Sequence, residues 1–284
     1  QVTQVQRQPR LMVREDPEAC QLVKQSLEDS GVQVLTGHNA IRFSNEAGEK
    51  YLHVEHEGEE KALPFDAVLV AVGRQANTDN LGLETLALPT DPDGTIQTNE
   101  LLQSRYPNIY ACGDVAGPYQ FTHTAAHQAW YAAVNALFGF LKSFKVDYRV
   151  IPWCTFTSPE VARVGLNEQE ADAQGIDYEV TRYGIDDLDR AIADSADEGY
   201  VKVITASGSD RILGVTIVGQ HAGELIAEYV LAMKHGLGLN KILGTIHIYP
   251  TMAEANKFAA GEWKKAHKPE GVLRWVERFH DWRR

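Results

Sequence analysis

The sequence predicts an α/β architecture followed by an α+β module built on an antiparallel sheet, and three observations carry that prediction. The chain opens with a strand–helix–strand pattern, which calls for parallel strands joined by a right-handed crossover. Two apolar runs, at 65–72 and 109–112, each stop at a glycine, as strands buried on both faces do. Beyond residue 152 short strands alternate with helical stretches, the signature of helices laid on an antiparallel sheet.

Each element follows from its residues. Val2 to Gln6 alternates as a strand, and it does so from the first residues with no cap and no Met ahead of it, so the chain reads as a fragment that begins inside a fold. Asp16 is the expected N-cap of a helix over 17–30, with Pro17 at its first position and Leu22, Val23 and Leu27 on one face. Gly31 ends that helix, and a strand resumes over 32–35. Stretches 40–44 and 51–56 flank the polar turn Asn45-Glu46-Ala47-Gly48 and predict a small antiparallel meander. The two apolar runs come next, then a mostly apolar helix over 122–144 and a boundary near 148–152. Strands are expected near 153–157, 162–165, 178–183, 199–205 and 212–218, with helices over 167–174 and 224–235 and a hairpin turn at Gly208-Ser209-Asp210-Arg211.

Composition excludes several classes. The chain has 284 residues and a net charge of −12, with no basic block, which argues against nucleic acid as its main partner. Cys20, Cys112 and Cys154 lie far apart, giving neither a zinc motif nor a disulfide framework, and suit a reducing compartment. The most apolar run, 129–141, is broken by Asn135 and Gly139 and is shorter than the ~20 residues of a membrane span. With no signal peptide visible, the expected location is cytoplasmic.

Gly113-Asp114, at the end of the second apolar run, is the first chemical signal. An Asp there can accept hydrogen bonds from sugar-type hydroxyls, and Gly lets a ligand approach the backbone. Taken alone, the dipeptide reads rather as a strand-end turn. Its context adds three further blocks. Ala71-Val72-Gly73-Arg74-Gln75-Ala76-Asn77-Thr78 comes before it; Thr155-Phe156-Thr157-Ser158-Pro159-Glu160-Val161-Ala162-Arg163-Val164-Gly165-Leu166 and Tyr249-Pro250-Thr251-Met252-Ala253-Glu254 come after it. In this order the blocks resemble the C-terminal portion of the flavoprotein disulfide reductases, or pyridine nucleotide-disulfide oxidoreductases, which include dihydrolipoamide dehydrogenase, glutathione reductase and mercuric reductase. The resemblance spans residues 2 to about 262.

That resemblance implies three regions: the C-terminal half of an NAD(P)-binding domain over 1–75, the C-terminal part of an FAD-binding domain over 76–147, and an interface domain over 148–284 that makes a homodimer. It implies FAD held by Gly113 and Asp114, Thr122 and His123 near the isoalloxazine, and Gly73 and Arg74 in the coenzyme-binding blocks. A helix N-terminus near the flavin would stabilise its anionic reduced form. His123 by itself also reads as an ordinary helix-start residue. NAD-using relatives end the first strand in a carboxylate; here the position is Gln6, followed by Arg7 with Arg10 nearby, which favours the 2′-phosphate of NADPH over NADH, the alternative being two surface arginines.

Two departures qualify the expected reaction, which is hydride transfer from NAD(P)H to FAD and then electrons to a disulfide- or metal-type acceptor. In relatives the Gly-rich loops and the redox Cys pair precede the region matched here, so the chain alone is expected to be inactive, and a catalytically inert dimerisation module is the alternative reading. The second departure is His247-Ile248-Tyr249-Pro250-Thr251-Met252-Ala253-Glu254, where thiol-handling relatives carry a second His in place of Tyr249. A phenol cannot trade protons at neutral pH as an imidazole does. Mercuric reductases also place Tyr there, so Tyr249 and Glu254 are expected to line a mercuric-reductase-like acceptor site across the dimer; the plainer alternative is a packed aromatic bonded to Glu254. Relatives bend at the Tyr249-Pro250 bond, which makes it a candidate cis peptide. Mercuric reductases end in a vicinal Cys pair, whereas no Cys follows Cys154.

The last stretch, 263–284, holds seven Lys/Arg against three Asp/Glu and three of the five Trp. Val272, Trp275, Val276, Phe279 and Trp282 share one helical face. The favoured expectation is that this face packs back on the interface domain; the alternative is a membrane surface or a partner.

Overall fold

The computed structural model describes residues 1–283. It divides into two compact units: residues 1–66 together with the chain from 152 onward, and residues 67–151.

In the first unit β1 (Val2–Gln6) pairs in parallel with β2 (Val32–Thr36), Val2 opposite Val32 and Gln6 opposite Thr36. The crossover is α1 (Pro17–Asp29), which buries Ala19, Cys20 and Val23 and carries Pro17 in its first turn. Asp16 precedes this helix but makes no capping bond; its carboxylate lies 2.7 Å from the Lys202 ammonium instead. A full buried charge outcompetes a backbone N–H for a carboxylate, which corrects the capping expectation. The meander has three strands in sequential order, β3 (Asn39–Glu46), β4 (Glu49–His56) and β5 (Glu59–Pro64). The third was not expected, because Glu59-Glu60-Lys61 carries no apolar alternation. A polar line crosses all three strands: the Ser44 hydroxyl is 2.8 Å from His53 Nε2, and His53 Nδ1 is 2.7 Å from Glu60.

The larger sheet has five antiparallel strands, β6 (Pro152–Thr155), β7 (Glu160–Gly165), β8 (Tyr178–Gly184), β9 (Tyr200–Ala206) and β10 (Ile212–Gly219), in the order β6-β7-β10-β9-β8. Val161, Val164, Val201, Val203, Val215 and Ile217 are buried in it. Between β7 and β8 runs α3 (Glu168–Gln174), capped by Asn167, whose side chain accepts from the Glu170 N–H, and ended by Gly175 at φ +63. The short α4 (Asp189–Ala193) precedes β9, and α5 (Ala222–Lys234) packs on β7 and β10. After the short α6 (Leu239–Leu243) comes α7 (Glu254–Ala266), which packs on β8 and β9. α4 and α6, at five residues each, are too short to show a helical period.

A buried ionic joint ties the two parts of this unit together. Arg163 on β7, wholly buried, lies 2.9 Å from Glu15 and 2.6 Å from Glu170, beneath the Trp153 ring. The Trp153 indole donates to the other Glu15 oxygen at 2.9 Å. Burial alone would raise the Glu170 carboxyl, but the hydrogen bonds and charge of Arg163 outweigh it and hold the group below the usual range.

The second unit departs from expectation. Residues 65–72 and 109–112 are not strands: Leu69 and Val72 are 91% and 89% exposed, and Tyr110 makes only a single bridge to Gln103. A strand exists through its ladder, and among the described residues no segment pairs with 68–72. The long helix, α2 (Thr122–Phe138), stops at Gly139 rather than reaching residue 144. Glycine caps a helix more readily than it continues one.

The last described helix, α8 (Glu270–Arg283), corrects the expectation for the tail, since none of its residues is buried and its apolar face does not pack back. No described helix is long and apolar enough to cross a membrane.

Candidate functional site

Gly113 and Asp114 form a single 3-10 turn ahead of α2. Gly113 sits at φ +78, where a Cβ would also come within 3.3 Å of the Ala125 side chain, so the turn is both left-handed and close to the helix. Its N–H donates to Gln128 Oε1 at 2.6 Å. Gln128, fully buried, donates in turn to the Gly117 carbonyl at 3.0 Å and to the Tyr148 hydroxyl at 2.6 Å. One amide therefore pins both ends of the 113–117 segment onto α2. Burial pushes the Tyr148 phenol up, and the Gln128 bond opposes that shift. Gln128 was missed in the sequence because a lone Gln in an apolar helix carries no motif.

The structure brings Asp114 and Arg74 together. Their charged groups are 3.9 Å apart, and Arg74 also donates to the Gln120 carbonyl at 2.8 Å. Gly73 adopts φ +142 in open space, a conformation that side chains avoid. The Asp114 carboxylate stays about half exposed, at 47%. Thr122 and His123 open α2, whose N-cap residue Phe121 offers no side-chain acceptor, and the His123 ring stacks on Phe121 at 5.1 Å. One turn in, the Thr124 hydroxyl is buried without a partner. An exposed carboxylate beside an uncapped helix N-terminus suits a ligand that carries both hydroxyl donors and an electron-rich edge.

The remaining candidates lie in the other unit. Gln6 ends β1, and its side chain accepts from the Gln8 N–H at 3.3 Å, while Arg7 is exposed. Arg10 is engaged locally, donating to the Val13 carbonyl and to Gln169, both at 2.9 Å. Tyr249 is exposed and precedes a cis Pro250. Its hydroxyl donates to Asp189 at 2.8 Å, not to Glu254, so the expected Tyr–Glu bond is replaced by one to α4. That bond keeps the phenol proton on, raising Tyr249 above the ordinary range. Glu254, buried at the start of α7, accepts from the Thr251 N–H at 3.3 Å and holds the bend that carries Tyr249. Behind the bend the His247 imidazole meets Glu228 at 3.0 Å, and the Asn256 amide donates to the same carboxylate at 2.9 Å.

A parallel β–α–β start, a Gly-Asp turn before a long helix and an antiparallel module with a cis Tyr–Pro bend are in keeping with the flavoprotein disulfide reductase resemblance drawn from the sequence. Comparison with known proteins agrees. Residues 1–129 match the profile described as pyridine nucleotide-disulphide oxidoreductase, and residues 151–260 match that family's dimerisation domain. The chain belongs to the pyridine nucleotide-disulphide oxidoreductase family. It is 35% identical to a mercuric reductase of Staphylococcus aureus over 92% of this chain and 47% of the relative. It is 36% identical to a dihydrolipoyl dehydrogenase of Thermus scotoductus over 92% of this chain and 56% of the relative. Among solved structures it resembles a Cu(II) complex of the HOCl-induced flavoprotein disulfide reductase RclA from Escherichia coli, with a TM-score of 0.83 and 26% identity over 92% of this chain and 58% of that one. The chain thus spans about half the length of the relatives it matches.

Proposed function

We propose that this chain is the dimerising part of an FAD-dependent NAD(P)H oxidoreductase that delivers electrons to a disulfide- or metal-type acceptor, and that it works as a homodimer in the cytoplasm. The observation that carries the reading is the Gly113-Asp114 turn pinned by Gln128 beside the uncapped start of α2. In this reading residues 1–75 and 76–147 contribute to the NAD(P) and FAD domains, and 148–284 form the interface. FAD, when bound, supplies the two-electron relay between NAD(P)H and the acceptor.

The chain's own residues have defined tasks. Asp114 accepts hydrogen bonds from the ribitol hydroxyls while Arg74 steadies its charge. Thr122 and His123 present the positive end of α2 to the flavin's electron-rich edge. Gly73 keeps the neighbouring backbone free of a side chain. Arg7 offers a guanidinium to a 2′-phosphate, and Gln6 is a neutral neighbour that does not repel it, so NADPH is the favoured coenzyme. Tyr249, held protonated by Asp189, keeps its oxygen lone pairs for orienting or ligating an acceptor and moves no proton; Glu254 sets the bend. This supports a metal-type acceptor over a dithiol.

The test is a fluorescence titration of the purified chain with FAD, its intact mass taken on the same sample. Wild type should quench FAD emission, and Asp114→Ala should weaken binding roughly tenfold, the worth of a charged hydrogen bond. Identical titrations for the two proteins would remove Asp114 from the site, and no binding by either would leave the inert dimerisation module as the better reading.

A further inference from the structure

We propose that His247 is a positioning residue that sets where the Tyr249 hydroxyl stands, by clamping the chain two residues ahead of it between Glu228 and the Thr245 carbonyl. The proposal rests on the reading of Tyr249 as part of the acceptor site, and it names what holds that group in place.

Residues 244–253 join α6 to α7 without forming a strand or a helix. Ile246 and Ile248 are 95% and 77% exposed, so apolar packing within the chain does not tie this stretch to its own body. The His247 side chain turns inward instead and is 6% exposed. Its Nδ1 lies 3.0 Å from the Thr245 carbonyl, and its Nε2 lies 3.0 and 3.1 Å from the two Glu228 oxygens. Carbonyl and carboxylate both accept, and a neutral imidazole has one N–H to give, so the ring satisfies both partners at once only as an imidazolium. The bond to Glu228 is then charge-assisted, which makes it the strong member of the set.

Glu228 is itself fixed. The Asn256 amide, on α7 and 1% exposed, donates to Glu228 at 2.9 Å and to the Leu225 carbonyl at 3.0 Å. One carboxylate of α5 therefore gathers α7 and the 244–253 stretch onto the same point. On the far side of Tyr249 the Thr251 hydroxyl donates to the Ile248 carbonyl at 2.6 Å, and the Thr251 N–H donates to Glu254 at 3.3 Å. Tyr249 thus lies between two anchors, His247 two residues before it and Thr251 two residues after. Its hydroxyl meets Asp189 at the surface, where water competes for both groups, so that 2.8 Å bond depends on backbone the anchors have already placed.

The test reads the Tyr249 ring by NMR in the full chain labelled with 13C at the tyrosine Cζ, the signal being assigned by its loss in Tyr249→Phe. Asp189→Ala marks the position of a phenol without its partner. His247→Ala and Glu228→Ala should each move the Tyr249 signal to that mark, and the two together should move it no further than either alone. Glu228→Gln should leave it near the wild-type position, because the amide accepts from Asn256 and donates to a neutral imidazole. That variant also removes the carboxylate charge, which separates placement from the field of Glu228. Where His247→Ala does not fold, Glu228→Ala, which keeps the ring, decides. A Tyr249 signal unmoved in the folded alanine variants, even with a lowered thermal melt, would make His247 a stabilising contact alone and overturn the proposal. So would a shift in Glu228→Gln equal to that in Glu228→Ala. No flavin, coenzyme or acceptor is added, so a failure of the FAD titration above bears on the redox reading and leaves this readout as it stands.

Discussion

Lys202 on β9 and Asp16 at the head of α1 stand 2.7 Å apart with neither side chain more than 6% exposed. Glu168 and Glu18 complete the site, at 2.8 and 3.0 Å from the same ammonium. Burial alone would lower the Lys202 pKa, but these three carboxylates outweigh it and raise the group above its ordinary value. A raised lysine contributes its full stabilisation below the ordinary lysine range and loses it only as pH climbs through the folded pKa, so the joint is complete at neutral pH. Lys202→Met leaves Asp16 buried and unpaired and should cost about 3–5 kcal/mol in urea unfolding, most of it returning in the Lys202→Met, Asp16→Asn double variant.

Gln128→Leu should cost about 1–3 kcal/mol, because it orphans the Gly113 N–H and the Gly117 carbonyl inside the fold. Hydrogen exchange is the direct check: the Gly113 amide should lose protection while the five-stranded sheet keeps its own.

Removing the Tyr249 hydroxyl should leave stability within about 0.5 kcal/mol, since the ring and its Asp189 partner lie at the surface. A tyrosinate difference titration of wild type against Tyr249→Phe should place this phenol above the ordinary range, and Asp189→Asn should bring it back down.

The meander should open in acid. The hydrogen bond to His53 is the largest influence on the Glu60 carboxyl, with Arg42 adding to it, and together they hold its pKa below the ordinary carboxylate value. A depressed carboxylate stabilises the fold above its unfolded pKa and loses that contribution as pH falls through the folded one. Amides of β4 should lose exchange protection in acid, and Glu60→Gln should flatten that dependence at neutral pH's expense.

Arg7→Ala should weaken NADPH binding roughly tenfold and leave NADH unchanged, as read by nicotinamide fluorescence, because only NADPH carries a 2′-phosphate for the guanidinium. Arg10→Ala should not discriminate between them, its guanidinium being engaged by Val13 and Gln169.

What the sequence made legible was whatever repeats or punctuates. β1, α1 and β2 follow from alternation, Pro17 and Gly31, and the five strands of the large sheet fall where short strands are expected between helical stretches. Gly113-Asp114 was found because a dipeptide at a strand end has positional meaning. Long-range pairing left no such mark. Asp16 looks like a cap until Lys202 arrives from nearly two hundred residues away, and Tyr249 points to Asp189 rather than to its near neighbour Glu254. Residues 68–72 read as a buried strand because apolar content reports what a segment could pair with, while the ladder depends on what lies beside it.

The Glu15–Arg163 and Asp16–Lys202 joint has a consequence for the integrity of the chain. The polypeptide leaves the first unit after Asp66 and re-enters it at Pro152, so 67–151 is an insertion between two segments that hold each other through buried ions. A protease that cut at both crossings would not free either flank from the other: under native conditions the two flanking pieces would migrate as one species, and only denaturation would reveal the breaks.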